Sequence, residues 1–198
     1  MMAGETGTMD RRDAVRELLA ERGELLVVTG LGSPSYDVFA AGDHAGNFYL
    51  WGAMGGAAVM GLGLALARPE KAVAVITGDG EAMMGVGGLL TISVRKPPNL
   101  TVVVLDNGHF GETGMQRSHS GLGVDLAALA RGAGFTEVVS IDDLEGVAAF
   151  RPRLRDLDAG PRLVILRIAA GEQERALPPR DGVYLKNRFR ENLGLAVD

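Results

Sequence analysis

The chain has 198 residues, a formal net charge of −5 and no cysteine. That length suits one well-buried domain. The acidic balance and the lack of a Lys/Arg stripe argue against a nucleic-acid partner, and zero cysteines exclude disulfides, thiolate clusters, a cysteine nucleophile and protein ligands for an iron–sulfur centre. Glycine is in excess at 29 of 198 residues, roughly twice the usual ~7%, which calls for tight turns or close backbone approach to a ligand. No run of about 18 apolar residues is present, and the start MMAGETGTMDRRD lacks the apolar stretch of a signal peptide, so the chain is read as cytoplasmic.

In chain order, residues 1–9 read as a flexible lead-in, and Asp10 caps an amphipathic helix over Arg11–Arg22 that Gly23 ends. Glu24–Thr29 is a short buried strand closed by Gly30-Leu31-Gly32, and Asn47–Trp51 is a second strand candidate. Gly52–Arg68 reads as a glycine-rich helix that lets neighbouring backbones approach. Lys71–Thr77 is the clearest strand and runs into Gly78-Asp79-Gly80, followed by a helix over Glu81–Val94. Pro97-Pro98-Asn99 precedes the strand Leu100–Leu105, which ends at Asp106-Asn107-Gly108. Beyond a polar loop over 107–123, Asp125–Arg131 is a helix, Val138-Val139 a strand, Asp142–Arg155 a helix and Arg162–Ile168 a last strand. Residues 10–175 form one domain, and the tail 176–198 carries Pro178-Pro179 and a short helix near Tyr184–Leu193. The alternation predicts an α/β fold, a doubly wound parallel sheet with helices on both faces.

Open parallel sheets bind ligands beyond the carboxyl ends of their strands, which directs attention to the residues after Thr77 and Leu105. Gly78-Asp79-Gly80-Glu81 sets a carboxylate between glycines where a helix begins, offering free N–H groups to an anion. Asn107 follows the next strand, with 26 residues between it and Gly80. On neighbouring strands, the Asp79 carboxylate and the Asn107 amide oxygen converge, and two hard oxygen ligands there suit magnesium if phosphate oxygens complete the octahedron. Gly-Asp-Gly alone is a common turn; the spacing is what makes the signal specific.

A GDG at a strand end, a helix, a buried strand and an Asn about 27 positions on resemble the binding motif of thiamine diphosphate (ThDP) enzymes. That resemblance implies ThDP and Mg2+ as cofactors. It implies Asp79, the Asn107 side chain and the His109 backbone carbonyl as metal ligands, the amides of Gly80 and Glu81 at the diphosphate, and Gly78, Phe110 and Gly111 as further cofactor-binding residues. Met54 takes the position of the apolar wedge that holds the cofactor bent, and Gly52 that of the carbonyl facing the aminopyrimidine. The glutamate that protonates the aminopyrimidine lies on a separate pyrimidine-binding domain, so a second chain is expected to complete the site.

The segments NFYLWGAMGGAAVMGLGLALA, GDGEAMMGVGGLLTI, LDNGHFGETGMQ, DLAALARGAGF and LPPRDGVYLKNRF resemble the β subunit of sulfopyruvate decarboxylase and the equivalent half of phosphonopyruvate decarboxylase. The implied function is a split, ThDP- and Mg-dependent 2-oxoacid decarboxylase, a hetero-oligomer with an α subunit and at least two copies of each chain. Glu112, Thr113 and His119 are this chain's candidate catalytic residues, with Gln116 and Arg117 as candidate substrate contacts. The Glu112 carboxylate is unfavourable beside a sulfonate or phosphonate, and Ser33-Pro34-Ser35 stands where relatives tend to carry an Arg, which leaves the 2-oxoacid open. His44 reads as a solvated loop histidine, Arg151, Arg153 and Arg155 as a solvated helix face, and Asp142-Asp143 as a helix start. Rival readings are an acetolactate-synthase-like carboligase, a ferredoxin-coupled oxidoreductase, which the missing cysteines disfavour, and a non-catalytic nucleotide-binding module.

Overall fold

A computed structural model describes residues 7–197. Strands β1 (Leu26–Thr29), β2 (Asn47–Tyr49), β3 (Val73–Gly78), β4 (Leu100–Asp106), β7 (Glu137–Ile141) and β8 (Arg162–Arg167) form a six-stranded sheet in the order β2-β1-β3-β4-β8-β7. Every pairing in it is parallel. A separate antiparallel pair, β5 (His109–Phe110) and β6 (Gln116–Arg117), rises from the loop after β4.

Strand periodicity builds two cores. In β3 and β4, Val73, Val75, Leu100, Val102 and Val104 point to one face, where α3 (Ala57–Ala67), α5 (Gly87–Arg95) and α6 (Leu126–Ala133) cover them. Ala74, Ile76, Val103 and Leu105 point to the other, beneath α1 (Arg11–Leu19), α2 (Ser33–Ala40) and α7 (Leu144–Phe150). Strands buried on both faces explain the uninterrupted apolar runs. Helix α3 can sit close on β3 because Gly61 faces Val75 with no room for a Cβ.

The expected doubly wound sheet is present, with local differences. Helix α2 was not anticipated; its signal is Pro34 at the start of the helix behind a glycine at φ 76°. The long helix expected over Gly52–Arg68 is confined to Ala57–Ala67, because Gly52 and Gly55 adopt φ of 75° and 84°. The helix expected over Glu81–Val94 is two, α4 (Asp79–Met84) and α5, broken at Gly85 where the backbone of Gly55 packs against it. Arg153 and Arg155 are exposed and Arg151 half-buried, and all three are held by partners on other parts of the chain. Arg151 pairs with Glu17 at 2.6 Å, Arg153 with Glu137 at 2.5 Å, and Arg155 donates to the Glu21 carbonyl at 2.7 Å. Asp143 does cap α7, accepting from Gly146 N at 2.7 Å. The expected lead-in runs through Met9; residues 1–6 lie outside the described residues, while Met9 is buried and bridges to Ile168.

The tail packs back on the sheet. Helix α8 (Gly182–Asn192) covers the β2 edge, with Leu185 in one core and Phe189 in the other, edge-on to Phe48 at 5.7 Å. Trp51 Nε1 donates to the Pro179 carbonyl at 2.8 Å, fixing the stretch that leads into α8. A covered edge strand offers no free ladder to another chain.

Candidate active site

The sheet order reverses direction beside β1: its connection runs outward to β2, while β3 and β4 follow on the other side. Helix α2, leaving β1, packs on one face and α4–α5, leaving β3, on the other, so a crevice opens beyond the carboxyl ends of these strands. A cleft lies there, lined by Leu31, Ser33 and Pro34 after β1, Gly78–Glu81 after β3, and Asn107 and His109–Thr113 after β4, with Arg11 and Met54.

Of the anticipated site residues, the cleft gathers Met54, Gly78, Asp79, Gly80, Glu81, Asn107, His109, Phe110, Gly111, Glu112 and Thr113. Gly52, Gln116, Arg117 and His119 do not line it. His119 is edge-on to the ring of Phe110, which borders the cleft, at 6.2 Å. Gln116 is tied to Thr113, accepting from its hydroxyl at 2.8 Å and donating to its carbonyl at 2.7 Å. His44, expected to be solvated, is half-buried and accepts from Gly46 N at 2.9 Å; burial lowers its pKa.

Asp79, the first residue of α4, is 2% exposed. Its Oδ2 accepts from the Ser118 hydroxyl and lies 2.8 Å from Ser120 Oγ. Ser120 Oγ is equally 2.8 Å from Oδ1 of Asp106, which is also buried. Neither aspartate forms an ion pair among the described residues. Burial pushes the Asp79 carboxyl above its ordinary range, the two hydroxyls pull it back, and the Asp106 charge adds to the rise. Asn107 Oδ1 accepts from His109 N at 2.9 Å, and the His109 ring sits 2.7 Å from the Asn107 carbonyl, which shapes the turn after β4.

The Glu81 side chain has a part that sequence reading missed. It is 4% exposed and accepts from Thr77 Oγ1 at 2.9 Å, Leu31 N at 3.0 Å and Ala57 N at 3.3 Å. One carboxylate thus ties together the loop after β1, the end of β3 and the start of α3. Gly30 has no room for a Cβ beside it, and burial raises the Glu81 pKa against those donors. Phe110 lies against Gly80, where a Cβ would overlap the ring. Glu112 lies 3.5 Å from both Tyr36 Oη and Arg175 Nη2, and burial followed by the Glu112 charge raises the Tyr36 pKa.

A buried anionic centre without a counter-charge, beside an amide oxygen and a helix start, fits a divalent cation. No group of three or more His, Cys, Asp or Glu side chains able to hold a metal occurs among the described residues, so such a cation would draw further ligands from backbone or from a bound ligand.

The family model "Thiamine pyrophosphate enzyme, C-terminal TPP binding domain" matches residues 35–166. Sulfopyruvate decarboxylase of Methanosarcina acetivorans is 40% identical over 144 residues, 72% of this chain and 37% of that one. Sulfopyruvate decarboxylase subunit beta of Methanothermobacter thermautotrophicus is 38% identical over 136 residues, 69% of this chain and 72% of that one. Phosphonopyruvate decarboxylase of Streptomyces viridochromogenes is 40% identical over 162 residues, 80% of this chain and 39% of that one. The chain therefore spans well under half the length of the longer relatives and most of the length of the separate subunit. Among solved structures, a putative thiamin diphosphate-dependent enzyme from Mycobacterium smegmatis superposes with a TM-score of 0.68 at 23% identity, covering 84% of this chain and 33% of that one. The chain belongs to the thiamine pyrophosphate enzyme family, as a C-terminal TPP-binding domain related to the sulfopyruvate decarboxylase β subunits and phosphonopyruvate decarboxylases.

Proposed function

We propose that this chain is the diphosphate- and magnesium-binding half of a cytoplasmic ThDP-dependent 2-oxoacid decarboxylase, completed by a partner chain that supplies the pyrimidine-side glutamate. The observation that carries the reading is the buried carboxylate of Asp79 at the start of α4, paired with no Lys, Arg or His among the described residues and in one cleft with Asn107 and Met54. Asp79, the Asn107 side chain and the His109 carbonyl would hold Mg2+, and the amides of Gly80 and Glu81 would face the diphosphate. Met54, 40% exposed on the cleft wall, is free to prop an apolar ring. Gly52 would face the aminopyrimidine.

When bound, ThDP supplies the electron sink into which the bond to the departing CO2 empties. This chain orients and shields: Phe110 and Met54 give the cleft apolar walls, and the Glu81 tie keeps the three loops in register. Glu112 faces the cleft beside Arg175 and Tyr36 and is placed to tune which 2-oxoacid enters. The partner reading is supported by relatives named as β subunits and by an apolar surface over α5, α6 and the loop before it. On that surface Leu90, Val124 and Leu129 line one groove and are exposed at 58%, 40% and 41%.

Native mass spectrometry of the chain purified from its source tests this. The expected result is a co-purifying chain of about domain size together with the mass of ThDP and magnesium. A homo-oligomer that takes up no cofactor after ThDP and Mg2+ are added would overturn the reading and favour a non-catalytic module. Product analysis of the loaded complex separates an aldehyde-releasing decarboxylase from a carboligase.

A further inference from the structure

The segment Ser118–Gly121 lies between the two loops that bear the proposed metal ligands. Ser118 is 1% exposed, and its hydroxyl donates to Asp79 Oδ2. Ser118 N donates to the Gly108 carbonyl at 2.9 Å, next to Asn107. Ser120 Oγ lies 2.8 Å from the same Oδ2 of Asp79 and 2.8 Å from Asp106 Oδ1 at the end of β4. Gly121 packs so tightly on the Gly108 carbonyl that a Cβ would overlap it.

Both hydroxyls address one oxygen of Asp79. Oδ1 accepts from no other side chain among the described residues, while the residue lines the cleft. We propose that Ser118 and Ser120 are positioning residues that fix Asp79 Oδ2 and so turn Oδ1 toward the divalent cation, locking the Asp79 loop to the Asn107 turn. The proposal rests on the ThDP–magnesium reading above and adds what sets the affinity for the cation. A carboxylate held through one oxygen presents the other at a fixed angle, so the site forms without ordering a rotor. Without the hydroxyls, Asp79 would have to be ordered by the cation itself.

The test uses the complex as purified, stripped with EDTA, with ThDP binding followed by calorimetry across a magnesium titration. Ser120→Ala and Ser118→Ala are each expected to raise the half-saturating Mg2+ concentration about 10-fold, the scale for partners behind a metal ligand. ThDP affinity at saturating Mg2+ should return close to wild type. Thermal melting of the EDTA-treated variants shows that they fold, and the half-buried Ser120 keeps the test open if Ser118→Ala does not. Unchanged magnesium dependence in a folded Ser120→Ala or Ser118→Ala, with wild type binding normally, overturns the clamp and leaves the cofactor reading standing. Weakening of ThDP binding to the same extent at every Mg2+ concentration would make the serines merely structural and also overturn it. Failure of the wild-type complex to bind ThDP with Mg2+ overturns both.

Discussion

Replacing Glu81 by Ala removes the acceptor for two backbone N–H groups, Leu31 and Ala57, and for the Thr77 hydroxyl. Thr77 and Ala57 are each 1% exposed, so water cannot readily replace the carboxylate there. Each orphaned buried donor costs about 1–3 kcal/mol. Relief of burying the carboxylate, whose pKa is raised by that burial, offsets part of the sum, and a net loss of about 3 kcal/mol is expected. Gly30 supplies the control, because a methyl there would overlap the Glu81 carboxylate and sit 2.7 Å from Thr77 Oγ1. Gly30→Ala should therefore be costly in the wild type and less costly once Glu81 is Ala, when only the contact with Thr77 Oγ1 remains, giving a coupling of at least about 1 kcal/mol in a double-mutant cycle. Urea unfolding at pH 7 followed by far-UV circular dichroism reads all four proteins. A Glu81→Ala cost below about 1 kcal/mol, or strict additivity with Gly30→Ala, would refute the assignment of Glu81 as the tie between the three loops.

Asp37 has no exposure, and burial pushes its carboxyl up to about 6 from 3.8 despite Arg11 and Arg12 at 3.3 and 3.4 Å. The folded state then binds this proton more tightly than the unfolded one, so stability should fall as pH rises from about 4 to about 6, by at most about 3 kcal/mol; Asp37→Asn should flatten that slope in urea midpoints measured across the window. Arg162, 1% exposed, pairs with Glu137 at 2.9 Å and Asp156 at 2.7 Å, both partly exposed, so Arg162→Ala should destabilise by about 1–3 kcal/mol, measured by the same unfolding assay. Deleting residues from 178 onward removes the Pro179 acceptor of Trp51 and the α8 cover of β2; concentration-dependent association in analytical ultracentrifugation is expected from the freed edge.

What the sequence made legible is what depends on short periods and fixed offsets. The apolar runs of β3 and β4 identify themselves because both faces of each strand are buried, and the Gly-Asp-Gly to Asn spacing is a property of one strand–helix–strand unit. The parts that were missed arise from contacts far apart in sequence. Ser118 and Ser120 reach Asp79 across 39 and 41 positions, and Leu31 reaches Glu81 across 50. No local pattern records such pairs. Helix α2 escaped for a different reason: at eight residues, with Ser33, Ser35 and Asp37 inside it, it has little apolar period, and tertiary burial fixes it instead. The arginines after α7 are largely solvated as their pattern suggested, but their partners Glu17, Glu21 and Glu137 lie far away in sequence and left no local signal.

The glycine excess now has a specific physical reading. Gly30 makes room for the Glu81 carboxylate, Gly80 for the Phe110 ring, Gly85 for the Gly55 backbone and Gly121 for the Gly108 carbonyl. All four approaches join segments that line the cleft or support it, and three of them bring together loops leaving different strands. Glycine in these places costs backbone entropy on folding, of order 0.5–1 kcal/mol per residue relative to alanine. The sheet and its two apolar cores must offset that cost. What results is a cleft set by main-chain packing and a few buried oxygens, so that loops polar and irregular in sequence are held by contacts within the chain itself. Such packing constrains the backbone around Gly80 and Gly121 tightly, while Glu112 and Thr113 present exposed side chains to the cleft. If the proposed ThDP-dependent decarboxylase reading holds, differences in the accepted 2-oxoacid should map to Glu112 and Thr113, and differences in cofactor affinity to Met54 and to the glycines and serines behind the cleft.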